Sequence, residues 1–279
     1  MKQFRNMVYP YVAWIAVMIV APMLMIVLYA FTTAGNDVTT IRFTLDNFAR
    51  FFSDQVFLDV LWRSLFIAVI TTIICVLVGY PIAYAIAQRS EKSNMFWVLV
   101  ITMPTWINMM VRTYAWVGIL QDGGLINSLL GLFGIGPFKM MYTTFAVVLG
   151  MVYNYLPFMI LPIYSVICKL DYSLLEAARD LGANTVTVFR KVILPLSLPG
   201  VLSGITMVFV PSVSTFAISR MLGGGTELLL GDLIERQFLG GAYNPQLGAA
   251  ISLVMMLIVV VCMLVMNRFG EGEEQAVML

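Results

Sequence analysis

The side chains able to do chemistry are few in this 279-residue chain, and one stretch gathers many of them. Lys169, Asp171, Glu176, Arg179, Asp180, Arg190 and Lys191 all fall within residues 169–195, between long uncharged intervals. Histidine is absent, which removes the commonest general base and metal ligand and excludes every Ser-His or Cys-His nucleophile. Cys75, Cys168 and Cys262 stand far apart with neither CxxC nor metal-ligand spacing, so they read as packing or lipid-facing residues and not as a zinc site or disulfide framework. No Walker A pattern and no Gly-Lys dipeptide occurs, so the chain has no phosphate-binding loop for ATP. A net charge of +1 gives no basic footprint for nucleic acid.

The elements that position these groups are apolar. Hydrophobic residues make up 61% of the chain and charged residues 11%, the composition of an integral membrane protein. Uncharged intervals run from Arg5 to Asp37, Arg63 to Arg89, Lys92 to Arg112, Lys139 to Lys169, Lys191 to Arg220 and Arg236 to Arg268. Each holds the roughly 20 residues that cross a bilayer as a helix. Six spans are therefore predicted, with cores at Val8 to Phe31, Leu65 to Ala87, Phe96 to Trp116, Thr144 to Val166, Leu198 to Ser219 and Leu247 to Met266, in a single transmembrane domain over residues 1–279. The first run is read as a retained span and not as a cleaved leader, on its length and on Pro10 and Pro22. Residues between Asp122 and Lys139 include five glycines and read as an external loop or re-entrant turn. The density of Lys and Arg in the short segments at Arg89 and Lys92, and at Lys169 to Lys191, places those segments and both termini in the cytoplasm. Prolines at 22, 81, 104, 157, 162 and 211 predict kinked helices, because each removes a helix hydrogen bond that hydrocarbon cannot replace.

Within 169–195, Ser173 with Glu176 three residues later reads as a capping box, Leu174, Leu175, Ala178 and Leu181 share a helical face, and Gly182 is placed to end the helix. So short a helix is below the length at which isolated helices become even marginal, so it needs a docking surface. A second amphipathic segment, Thr185 to Leu194, follows with Val186, Phe189 and Ile193 on its apolar side.

Glu176-Ala177-Ala178, Gly182, Val192, Leu194 and Pro195 resemble the EAA signature of ABC importer permeases, Glu-Ala-Ala-x3-Gly-x9-Ile-x-Leu-Pro, with Val192 in place of Ile. The resemblance implies an all-α membrane fold of the type I ABC importer (MetI-like) class. It also implies that Glu176, Ala177, Ala178, Asp180, Leu181, Gly182, Ala183 and Pro195 belong to a loop that couples the spans to a cytoplasmic ATPase. Phe43-Thr-Leu-Asp-Asn-Phe48, Gly79-Tyr-Pro-Ile-Ala83, Val111-Arg-Thr-Tyr-Ala-Trp-Val-Gly-Ile-Leu120, Tyr172 to Ala183 and Met221-Leu-Gly-Gly are similar to the PotB-type permeases of spermidine/putrescine transporters. That resemblance implies a complex with a homologous PotC-type permease, two PotA-type ATPase subunits that bind ATP and Mg, and an extracellular PotD-type polyamine-binding protein, in a bacterial inner (plasma) membrane. Permeases for other small solutes share much of the framework, and such a solute is the alternative substrate.

The predicted span cores carry no acidic residue to meet a polyamine, and Arg112 is their one charge. The partners left for a cation are aromatic faces at Trp106, Tyr114, Tyr153 and Tyr155 and oxygens at Asn108, Asn154, Thr206, Ser212 and Ser214. Arg112 is expected to snorkel outward or to pair with a carboxylate of a loop or partner. A secondary transporter or channel, the reading from a different class, would be expected to carry ionisable groups within the spans. An intramembrane protease would need two aspartates or a general base there.

Overall fold

The computed structural model describes residues 2–33, 42–241 and 243–277. Helices in chain order are α1 (Lys2–Ile15), α2 (Ala21–Ala30), α3 (Asp46–Ser53), α4 (Gln55–Ala87), α5 (Glu91–Thr102), α6 (Met109–Leu120), α7 (Leu125–Leu132), α8 (Thr144–Ile167), α9 (Tyr172–Asp180), α10 (Thr185–Val188), α11 (Leu194–Ser214), α12 (Ala217–Gly223), α13 (Leu230–Leu239) and α14 (Pro245–Val277). Among the described residues, five helical runs are long and apolar enough to cross a membrane: Tyr9–Ala30, Gln55–Ala87, Thr144–Ile167, Thr185–Ser214 and Pro245–Met266. A sixth is formed if Lys92–Trp106 and Met109–Leu132, bent by 90° at their junction, count as one span.

Two of these runs contain π-helical turns, Ala16–Val20 between α1 and α2 and Phe189–Ile193 between α10 and α11. Each ends two residues before a proline, Pro22 or Pro195. A proline ring clashes with the carbonyl four residues back, and the wider turn absorbs that clash with an i−5 hydrogen bond, from Ala21 N–H to Ala16 O and from Leu194 N–H to Phe189 O. The second turn corrects an expectation: the amphipathic segment from Thr185 does not stop before the fifth span, but continues into it as one helical rod.

The third and fifth spans differ more. The run Phe96 to Trp116 is interrupted by a 3-10 turn at Met103–Trp106 and by extended backbone at Ile107, after which α6 starts afresh. Pro104 at the head of the 3-10 turn removes one donor, and the Asn108 carboxamide starts the new helix by accepting from Met110 N–H at 2.8 Å. The run expected to reach Ser219 ends at Ser214, because Thr215 is extended and α12 begins only at Ala217. The 122–139 segment holds α7, with the buried Asn127 side chain donating to Phe138 O and accepting from Phe138 N–H.

The chain divides into two compact units, residues 1–62 with 230–258, and residues 63–229 with 259–279. In the first, Ala30, Ala249 and Ala250 are fully buried beneath Ile26, Phe31, Phe48, Phe238 and Leu253, and Asn47 donates to Ala30 O and Thr32 O. In the second, α4, α8, α11 and α12 build the core around Ile67, Cys75, Met151, Met159, Ile163, Val208, Ile218 and Leu222. The tightest approach there is α8 against α11. A Cβ on Gly200 would stand 2.9 Å from Pro162 O, and one on Gly204 would stand 2.7 Å from the Met159 sulfur and 3.3 Å from its Cα. Two glycines four residues apart let helix backbones meet where lipid supplies no hydrophobic drive.

Forcing a side chain into that contact costs about 1–3 kcal/mol. Gly204→Leu is thus expected to lower the thermal unfolding midpoint of the detergent-solubilised chain, while Ser203→Leu on the exposed side of α11 leaves it unchanged. Equal midpoints would refute the close approach.

Candidate coupling site and translocation path

The stretch 169–195 folds as a helix, a tight turn and a second helix, and the caps explain the boundaries. Asp171, not Ser173, is the N-cap of α9: its carboxylate accepts from Ser173 N–H at 2.9 Å, so Tyr172 is already helical, Leu174 stands at the third helical position, and the expected capping box does not form. The competition favours Asp because a charged acceptor at a helix N terminus gains from the dipole as well as from the hydrogen bond. At the other end, Gly182 N–H bonds to Arg179 O and Ala183 N–H to Ala178 O, with Gly182 at φ +81°. That is a Schellman turn, whose left-handed residue favours glycine. Asn184 then caps α10 by accepting from Thr187 N–H at 2.8 Å.

Glu176, Ala177, Asp180, Leu181 and Gly182 are exposed, Ala178 and Ala183 are half-buried, and no residue of α9 is buried. Leu181 is 89% exposed, and Leu174 and Val186 are exposed nearby in the chain. Of the expected apolar face, only Leu175 and Ala178 turn toward the protein. The helix thus offers an unpartnered apolar and charged surface.

Its attachment to the spans runs through the π turn. Phe189 packs edge-on against two rings of α4, Tyr80 at 5.8 Å and Tyr84 at 5.2 Å. One turn further on, the Tyr80 hydroxyl and Ser197 Oγ are hydrogen-bonded at 2.7 Å in a fully buried contact. Pro195 sits at the start of α11, between these two contacts. Phe189, Tyr80 and Ser197 were not singled out from sequence. The apolar face of 185–194 contained Phe189, but nothing in residue order pairs it with α4.

The expected path residues divide into two groups. Trp106 (74% exposed), Asn108 and Tyr114 lie open around the break before α6. Tyr153 is half-buried and stacks edge-on with Trp116 at 5.4 Å. Asn154, Tyr155 and Ser212 are buried, and Thr206 and Ser214 half-buried. Their polar groups mostly serve the backbone: Asn154 donates to Gly150 O, Thr206 to Leu202 O, Ser212 to Val208 O and Ser214 to Val210 O. The Tyr155 hydroxyl donates to Pro211 O at 3.5 Å, at the end of α11. Arg112 lies within Coulombic reach of Tyr155, and its Nε and Nη1 are buried without a partner. These two nitrogens therefore do not snorkel outward. The helices that follow the two breaks, α6 and α12, pack on each other, so both interruptions belong to one region. Irregular backbone at membrane depth is tolerated where it lines a cavity or is covered by protein. Cys75 is buried and Cys262 partly so, whereas Cys168 is exposed at the end of α8.

At the opposite end of α8 from Cys168, the Gly223 to Glu227 turn is pinned. Glu227 accepts from Thr144 Oγ1 at 3.1 Å and pairs with Arg63 at 3.7 Å, while Arg63 also donates to Thr226 O.

Residues 79–273 match the model of the family described as "Binding-protein-dependent transport system inner membrane component". The chain belongs to that family. It is 37% identical to the spermidine/putrescine transport system permease protein PotB of Salmonella typhimurium, over 96% of this chain and 94% of that protein. The Escherichia coli PotB is also 37% identical, over 94% of this chain and 96% of that protein. These likenesses make it a PotB-type permease, a transport component of the inner membrane. The fold is that of a chain in the crystal structure of a bacterial ABC transporter involved in import of the acidic polysaccharide alginate, with a TM-score of 0.81 at 16% identity over 96% of this chain and 95% of that one.

Two predictions test the geometry of this PotB-type permease. The Asp171 carboxyl is held below its ordinary 3.8 by the backbone and side-chain hydrogen bonds from Ser173. A lowered folded value means that the cap stabilises α9 above pH 3.8 and is lost as pH falls through the lower value. Protection of the Ser173 amide from hydrogen exchange, taken relative to its intrinsic rate at each pH, is expected to fall as pH drops below 3.8, and Asp171→Asn to remove that pH dependence while keeping the cap. Secondly, Phe189→Leu keeps apolar volume but loses two edge contacts, each worth about 0.5–1.5 kcal/mol. It is expected to lower the thermal midpoint, whereas Val186→Leu on the exposed side leaves it unchanged; a wild-type midpoint for Phe189→Leu would contradict the attachment.

Proposed function

We propose that this chain is one of two permease subunits of an ATP-driven importer of polyamines. The observation that carries the reading is the α9 to α10 hairpin with its EAA residues: capped at both ends, with no buried side chain in α9, and joined to α4 and α11 through Phe189 and Ser197. Such a helix is completed by a partner. The family resemblance makes that partner an ATPase whose bound ATP and Mg supply the energy. Glu176, Ala177, Ala178, Asp180, Leu181, Gly182, Ala183 and Pro195 form the coupling element, a homologous permease completes the pathway, and an extracellular binding protein delivers the cargo. Both termini and the hairpin lie on the cytoplasmic side, in keeping with the basic residues there.

Closure of two ATPase subunits on ATP would move α9, and the π turn would pass that movement to α4 and α11 as a rigid lever. The polyamine reading is supported by 37% identity to PotB proteins over nearly the full length. Its cations would pass the aromatic and amide groups near the third-span break, where Trp106, Asn108 and Tyr114 are exposed and Tyr153 is partly so, each aromatic contact worth roughly 0.5–2 kcal/mol. Asn154, Tyr155, Thr206 and Ser212 form the wall behind them. Carboxylates for the cargo come from the partner permease and the binding protein.

Gly182→Asp places a branched, charged side chain at φ +81° and is expected to leave the chain inserted while abolishing ATP-dependent uptake of labelled spermidine. Full uptake by that variant would sink the coupling role. Trp106→Ala and Tyr153→Ala are expected to slow uptake severalfold with the assembled complex intact, and wild-type rates in both would remove the aromatic path. Uptake of an unrelated solute with no spermidine competition would point to another cargo for the same machine.

A further inference from the structure

Beneath the coupling helix lies a cavity of about 830 Å³, walled by the end of α4, the start of α5, the end of α8, α9 and α10. Its size is that of a small-ligand site. Among the described residues, Arg89 and Arg179 are the charged groups of its wall and no carboxylate lines it. Guanidinium groups stay protonated at any physiological pH, so the wall carries two fixed positive charges. Arg89 is braced over the Trp97 ring at 5.4 Å. Tyr84, Tyr164 and Tyr172 add phenol groups. The chemistry wanted is an anion with several acceptor oxygens for the guanidiniums.

We infer that this cavity binds a phosphate group, held by Arg89 and Arg179. The source favoured by position is the headgroup of an anionic phospholipid such as phosphatidylglycerol, because the cavity opens where the spans end and basic pockets between spans take such headgroups. A soluble phosphate has the same chemistry. Since Arg89 lies in the turn just after α4 and Arg179 in α9, a bound phosphate ties the coupling helix to the end of a span. The inference rests on the membrane reading of the chain and on neither the cargo nor the ATPase.

Cys168 lines the cavity and is exposed, whereas Cys262 lies outside its wall. The full-length chain is placed in nanodiscs of phosphatidylcholine alone or with one part in three phosphatidylglycerol, and maleimide alkylation of each thiol is followed by peptide mass spectrometry. Phosphatidylglycerol is expected to slow alkylation of Cys168 and not of Cys262, with each guanidinium worth about fivefold in lipid affinity, so that Arg89→Gln with Arg179→Gln abolishes the protection. If the double variant does not insert, R89Q alone is read in the same way. Protection in phosphatidylcholine discs by millimolar inorganic phosphate, absent with phosphatidylglycerol, would support the site with a soluble source. Equal Cys168 rates under every condition, equal slowing of Cys262, or protection that survives the arginine substitutions would overturn it. Spermidine uptake is a separate readout, so loss of this site leaves the transport reading standing.

Discussion

Hydrocarbon offers a peptide group no hydrogen-bond partner, and the architecture of this permease follows from how it meets that constraint. An uninterrupted apolar helix satisfies it within its own backbone, as the run Pro245–Met266 does. Every departure needs compensation. Ahead of Pro22 and Pro195 the compensation is a π turn with an i−5 bond; at Ile107 it is a fresh N-cap from Asn108; after Ser214 it is the Tyr155 hydroxyl on Pro211 O and the serine hydroxyls on their own helix carbonyls. The irregular places are thus few, and they coincide with the places where the protein has to move or to meet something polar.

The π turn at Phe189–Ile193 is the clearest case. It lets the helix that begins at Thr185 enter the span without a break, as one continuous rod to Ser214. Phe189 projects from the widened turn between Tyr80 and Tyr84, and Ser197 locks the next turn to the Tyr80 hydroxyl. The Gly200 and Gly204 contact with α8 then carries the rod into the core.

Much of the fold was legible because membrane spans are written in local composition. Five of the six expected runs appear as unbroken helical runs, the second beginning ten residues earlier at Gln55 and the fifth running from Thr185 only to Ser214, and Gly182 ends α9 where its residue type predicts. The third span was not legible in full. Pro104 was visible, but a proline alone more often kinks a span than breaks it, and the apolar residues on both sides of Asn108 hide a cap within an otherwise uniform run. The N-cap at Asp171 escaped because a serine three residues before a glutamate matches the usual signature, while a carboxylate two residues earlier gains more. Among the path residues, sequence could not separate the open Trp106 and Tyr114 from the buried Asn154 and Ser212, since burial is a property of neighbours. The Gly200 to Gly204 spacing was present to be read and was missed.

The sequence alone determined the class, the number of apolar runs and the position of the exposed α9 hairpin. These follow from composition and from residues close along the chain, where hydropathy, caps and left-handed glycines act locally. Only the tertiary structure decided where the spans break, which side of α9 is bare, how Phe189 ties it to α4, and that Arg89 and Arg179, 90 positions apart, share one cavity. Each of those depends on contacts between segments distant in the chain, and helix packing in a bilayer is governed by shape and hydrogen bonds that residue order does not encode one position at a time.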